Sequence, residues 1–142
     1  MKKFTFIFFA ILMLTGCGTE RITCTSSKTL EDYYKVNETV TFKFNGEKIT
    51  KVNMVQSLTF DETYIKENNL NLEEVKKSYT DSFKESYDGV KGLKYFIESK
   101  DNTLSVSIKC SKKCVNNYMN YSKKTKEDIL NNYNKDADYT CK

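Results

Sequence analysis

Alternation of apolar and polar residues is clearest from Thr39 to Phe44, where Val40, Phe42 and Phe44 share one side and Thr39, Thr41 and Lys43 the other. A period of two with one apolar side marks a strand in an antiparallel sheet whose second face meets water. The run ends at Asn45-Gly46, a preferred pair for a two-residue hairpin because both central residues of a type I′ turn need positive φ. A return strand is therefore expected from Glu47. Val52, Met54, Leu58 and Phe60 keep one face of it, interrupted by Gln56, while Ile49 and Val55 fall opposite, so a bulge or partial cover is expected. A second hairpin follows the same logic. Leu93, Tyr95 and Ile97 alternate with Lys94, Phe96 and Glu98, and after an Asp101-Asn102 turn Leu104, Val106, Ile108 and Cys110 alternate with Thr103, Ser105, Ser107 and Lys109. Upstream, Ile22 to Thr25 reads as a short strand. Ser26 to Asn37 reads as polar and turn-like, with Tyr33, Tyr34 and Val36 suited to an early start of the next strand.

Between the hairpins the period changes. Asp61 to Asn69 reads as a polar connection, after which Leu72, Val75, Tyr79 and Phe83 recur at three- and four-residue spacing and form one stripe of a helix. Asn71 is placed to cap it, with Glu74 at the position that completes a capping box, and Tyr87-Asp88-Gly89 ends it. Ser111 to Tyr121 has no decisive period. Thr125 to Tyr133 reads as a short second helix, with Asp128 three residues after Thr125. The order β-β-β-α-β-β-α predicts an α+β fold: an antiparallel sheet of about five strands with helices packed on one face.

The longest apolar run lies apart from these elements. Lys2 and Lys3 precede Phe4 to Leu14, the positive head and apolar body of a secretory signal, too short for a comfortable membrane-spanning helix. It closes on Leu14-Thr15-Gly16-Cys17, which resembles the lipobox of bacterial lipoproteins. The resemblance implies a signal peptide over residues 1–16, a diacylglycerol group on the Cys17 thiol, a short tether over residues 17–21 and one α+β domain over residues 22–142. It also implies a cell-membrane location on the extracytoplasmic face. Two or more acyl chains, at about 0.8 kcal/mol per buried CH₂, make a stable anchor.

Composition narrows the functional classes. The formal charge of +4 includes Lys2 and Lys3, so the processed chain carries +2, and nucleic acid is not an expected partner. Histidine is absent, which excludes His-based acid–base catalysis, Ser-His and Cys-His nucleophile pairs and His-containing metal sites. Ten tyrosines and nine phenylalanines are far more aromatic residues than a disordered chain carries, so a folded core is expected. Arg21 is the one arginine among 23 basic residues, and asparagine is abundant, a bias that points to an AT-rich, low-GC Gram-positive source.

Phe42-Lys43-Phe44-Asn45-Gly46-Glu47-Lys48-Ile49-Thr50-Lys51 and Tyr87-Asp88-Gly89-Val90-Lys91-Gly92-Leu93-Lys94-Tyr95, together with Leu14 to Cys17, resemble the YehR-like family of small bacterial lipoproteins. That family has no assigned reaction and lends no catalytic residues. Apart from Cys17 there are four cysteines, an even number in an exported chain, so two disulfides are expected in one of three connectivities. The family's Thr-Cys-Thr start and Tyr-Thr-Cys-Lys finish, here Thr23 to Thr25 and Tyr139 to Lys142, imply Cys24 with Cys141, leaving Cys110 with Cys114. Cys24–Cys110 with Cys114–Cys141 is the competing pattern.

Two functional classes follow. In the first, the chain is a non-enzymatic, membrane-anchored module of the cell envelope that needs no cofactor or metal and binds an envelope protein or small ligand through its sheet face or helix–sheet rim. In the second, it is a thiol–disulfide or metal-linked protein acting through Cys110-Ser111-Lys112-Lys113-Cys114, whose lysines favour the thiolate. Tyr33-Tyr34 and Tyr118 to Tyr121 are candidates for stacking on sugars or peptides as well as for packing. Asp61-Glu62 and Glu73-Glu74 read as solvated surface, and the lysine pairs 112–113 and 123–124 as solubilising charge or contacts to anionic headgroups.

Overall fold

A computed structural model describes residues 20–30, 33–119, 121, 123–136 and 138–142. The signal, the lipobox and Cys17 lie outside the described residues. From Glu20 the chain forms β1 (Glu20–Leu30), β2 (Tyr34–Asn45), β3 (Lys48–Phe60), α1 (Glu62–Glu67), α2 (Leu72–Tyr87), β4 (Leu93–Lys100), β5 (Thr103–Ser111), α3 (Lys112–Asn117), α4 (Lys126–Lys135) and β6 (Tyr139–Cys141). All six strands join one antiparallel sheet in the order β4-β5-β3-β2-β1-β6. The helices lie on one face, so the architecture is α+β.

The register explains where the alternation leads. Val40, Phe42, Phe44, Val52, Leu58, Phe60, Leu104, Val106 and Ile108 are all buried on the helical side. Turn chemistry differs from expectation by one residue: Asn45 stays extended and pairs with Lys48, the loop is Gly46-Glu47, and only Gly46 of the pair takes positive φ. The shift is taken up by a bulge. Phe44 pairs with Ile49 but Lys43 with Lys51, which leaves Thr50 unpaired, its hydroxyl donating to the Lys43 carbonyl at 3.2 Å. The extra residue lets Ile49 and Val52 both enter the core, while Val55 stays 49% exposed on the other face.

Four elements depart from the sequence reading. β1 runs through the polar stretch to Leu30 because Ser26 to Leu30 pair in register with Glu38 to Tyr34; ladder hydrogen bonds outweigh turn propensity there. The polar connection holds α1, capped by Asp61, which accepts from the Thr63 and Tyr64 amides, and anchored by buried Ile65. The ambiguous stretch after β5 holds α3, which buries Cys114 and Val115. The C-terminal tail supplies β6, which adds a sixth strand beside β1.

The helices form where capping and stripes coincide. Asn71 accepts from the Glu73 and Glu74 amides, although Glu74 itself stays exposed. A complete capping box forms instead at α4: Asp128 donates its amide to the Thr125 hydroxyl and its carboxylate accepts from the Thr125 amide. The Leu72, Val75, Tyr79 and Phe83 stripe of α2 packs on Val36, Leu58, Phe60 and Leu104. Ile129 and Leu130 of α4 pack on the cluster of Ile22, Val40, Phe42 and Phe44. Lys76, 5% exposed, ties α2 to the second hairpin by donating to the Asp101 carbonyl at 2.8 Å, and within the helix it pairs with Glu73 at 2.5 Å.

Candidate functional site

One polar row crosses three strands of the apolar face, and in β5 the row continues as buried Val106. Ser26 of β1 pairs with Glu38 of β2, and Glu38 with Gln56 of β3. On one side lies the cluster around Phe42, Phe44 and Ile129, on the other the cluster around Phe60 and Leu104. The row forms part of the lining of a cleft of about 380 Å³, walled by Tyr34, Tyr79, Phe83 and Tyr139. Aromatic walls over a hydrogen-bonding floor are the usual make-up of a small-molecule site.

Glu38 is the charged centre of this cleft. One carboxylate oxygen accepts from the Tyr139 hydroxyl at 2.5 Å and the other from the Gln56 amide at 3.3 Å. Burial and the hydrogen bond to Glu38 push the Tyr139 phenol up to about 12. Burial first, and Tyr121 next, raise the Tyr133 phenol. Burial first, then Tyr118 and Glu38, raise that of Tyr87. The Ser26 hydroxyl, 8% exposed as a residue, makes no hydrogen bond of regular geometry, although it lies close enough to Tyr139 to favour the ionised phenol. The described residues of the cleft offer acceptors and flat rings.

None of the four described cysteines lines the cleft, although the Cys24–Cys141 pair is next but one to Ser26–Tyr139 in the β1–β6 register. Cys24 and Cys141 face each other across β1 and β6 with Cα atoms 4.0 Å apart, and they are bonded. Cys110 and Cys114 join the end of β5 to α3, and both are fully buried. Among the described residues no three His, Cys, Asp or Glu side chains converge as a metal site.

The remaining candidates are packed or capping groups. The Tyr33 ring stacks on Tyr64, centroids 5.3 Å apart, and its hydroxyl lies 3.1 Å from that of Tyr79. Tyr121 packs on Phe42, and Tyr118, 46% exposed, donates to the Ser86 carbonyl. Asp61 caps α1 and Glu62 pairs with Lys66. Glu38 and Ser26 escaped the sequence reading. The signal for Glu38 was present, because extending the Val40–Phe44 alternation backwards puts Glu38 on the core face between Val36 and Val40.

Residues 1–17 match the family described as "Prokaryotic membrane lipoprotein lipid attachment site". The protein is a membrane-anchored lipoprotein. Nothing matches it among curated proteins. A solved structure described as "NMR structure of the protein from Streptococcus pneumoniae TIGR4" is similar in fold, with a TM-score of 0.52 at 13% identity, covering 100% of this chain and 97% of that one. At that identity the likeness concerns the fold alone.

Proposed function

We propose that this lipoprotein is a non-catalytic binding module of a Gram-positive cell envelope, of the YehR-like kind, held at the membrane through Cys17 and receiving a small polar ligand in the cleft over Ser26, Glu38 and Gln56. The supporting observation is the polar row itself. Three hydrogen-bonding side chains in register across a core face are costly unless satisfied, and they interrupt what is otherwise one continuous apolar layer. Tyr34, Tyr79 and Phe83 supply flat surface for an apolar or sugar face, and Glu38 supplies an acceptor for a hydroxyl or amine. Full burial of Cys110 and Cys114 counts against the thiol–disulfide reading, since exchange needs access to a sulfur.

The test is amide chemical-shift mapping with amino sugars and amino acids as probes. Saturable shifts confined to the cleft residues Ser26, Tyr34, Glu38, Gln56, Tyr79, Phe83 and Tyr139, abolished in Glu38→Gln, support the reading. Scattered shifts that rise linearly with probe concentration remove it.

A further inference from the structure

The opposite face of the sheet carries no helix, and its charges are not evenly spread. At the end where β1 begins, Arg21 pairs with Lys43, Lys43 with Lys51, and Lys51 with Ser111, one unbroken row across four strands. In the next row Lys109 pairs with both Asn53 and Lys94. Neighbouring strands are about 4.8 Å apart, so these cations crowd one another, and like charges directly opposite each other destabilise a sheet. Among the described residues none of the five has a carboxylate within ion-pair distance. Beside the first row lies a depression of about 600 Å³, lined by Lys51, Lys94, Lys109, Lys112 and the Thr50 and Ser111 side chains, with no acidic residue in it.

Position singles out the counter-charge. Arg21 is four residues after Cys17. A chain spans at most about 3.6 Å per residue, so the start of the basic row lies within about 14 Å of the lipid-bearing residue. A Debye length at physiological salt is about 8 Å, and surface attraction to a charged bilayer acts over that range. Phe96, 65% exposed on the same face and flanked in space by Lys94 and Lys109, adds an apolar group suited to the headgroup boundary.

We infer that the basic end of the open sheet face docks on the anionic phospholipid headgroups of the bilayer that holds the anchor, with a headgroup phosphate seated among Lys51, Lys94 and Lys109. Docking converts a repulsive row into an attractive one and fixes the orientation of the module, leaving the helical face and its cleft turned away from the lipid. It depends on the lipid anchor and not on the identity of any cleft ligand.

Lysine acetylation footprinting of the full lipidated protein tests this in vesicles of phosphatidylcholine alone and in vesicles containing 30% phosphatidylglycerol. At roughly 1 kcal/mol, or about five-fold, per cation near the surface, Lys43, Lys51, Lys94 and Lys109 are expected to be several-fold less reactive in the anionic vesicles. Lys77 and Lys84 on α2 should be unchanged, and 0.5 M salt should erase the difference. In the Lys43→Glu/Lys51→Glu variant the protection of Lys94 and Lys109 should vanish. Equal reactivity in the two lipids overturns the inference. So does protection in phosphatidylcholine vesicles on adding soluble glycerol phosphate to the same extent, which would assign the lysines to a free phosphate.

Discussion

Removing the Cys24–Cys141 bridge should cost far more than removing Cys110–Cys114, although both join residues at the same end of the core. The first spans a sequence separation of 117 and the second a separation of 4. On the chain-entropy model the long bridge withholds about 5 kcal/mol of loop-closure freedom from the unfolded chain and the short one about 2 kcal/mol. Packing losses should be no larger for the long bridge, because Cys24, Cys110 and Cys114 are fully buried while Cys141 is half-buried, and each alanine gives up one sulfur. The long bridge also holds β6, whose departure would free the paired Thr23 and Lys142 backbones and take Tyr139 from Glu38. Since a domain of this size is stable by only about 5–15 kcal/mol, Cys24→Ala/Cys141→Ala should sit near the edge of folding. Cys110→Ala/Cys114→Ala should retain a clear native baseline. Equilibrium urea unfolding of the two double variants, extrapolated linearly, measures the difference. Equal losses, or a larger loss from the short bridge, would refute the loop argument.

Gly92 has φ +85°, and a Cβ there would come within 2.5 Å of the Ser111 hydroxyl and 3.1 Å of the Cys114 amide, whereas Gly89 at φ +76° faces open space. Gly92→Ala should therefore destabilise by about 1–3 kcal/mol and by more than Gly89→Ala, as read from urea midpoints. Because the folded Tyr139 phenol titrates near 12 against an ordinary 10.0, the unfolded chain loses that proton first. Its contribution to stability should be intact below about pH 10 and decline between about 10 and 12, seen as falling urea midpoints together with a late step in the ultraviolet tyrosine titration. Cys17→Ala should move the protein from the detergent phase to the aqueous phase in phase partitioning; unchanged partitioning would show that the anchor lies elsewhere.

The sheet was legible wherever one face is buried or half-buried, because alternation then records the environment directly. Thr39–Phe44, Leu93–Ile97 and Leu104–Cys110 are examples. It was illegible in Ser26–Leu30, whose residues pair well but scarcely contribute to the core, so only their partners in β2 reveal them. The turn at Gly46 was misplaced by one residue because the Asn-Gly preference is local, while the position of the loop is set jointly with the Thr50 bulge. The cleft was half legible: Gln56 stood out as an interruption, but its meaning depends on Ser26 and Glu38 meeting it from two other strands. The lysine row on the open face was harder still, since Arg21, Lys43 and Lys51 are separated in sequence and become neighbours only through register.

The polar row has a dynamic consequence. It leaves the two halves of the core unequally fastened: the cluster of Phe42, Phe44 and Ile129 holds all four bonded cysteines, and the cluster of Phe60 and Leu104 holds none. The halves are therefore expected to behave as separate cooperative units, with α1, α2 and the far ends of β2 and β3 opening at lower free energy than the cross-linked half. The cross-linked half contains Ile22, five residues after Cys17 in the sequence. With the docking inferred above, the molecule would be clamped at its membrane-proximal end and compliant at its outer end, and the cleft should widen when the outer unit opens.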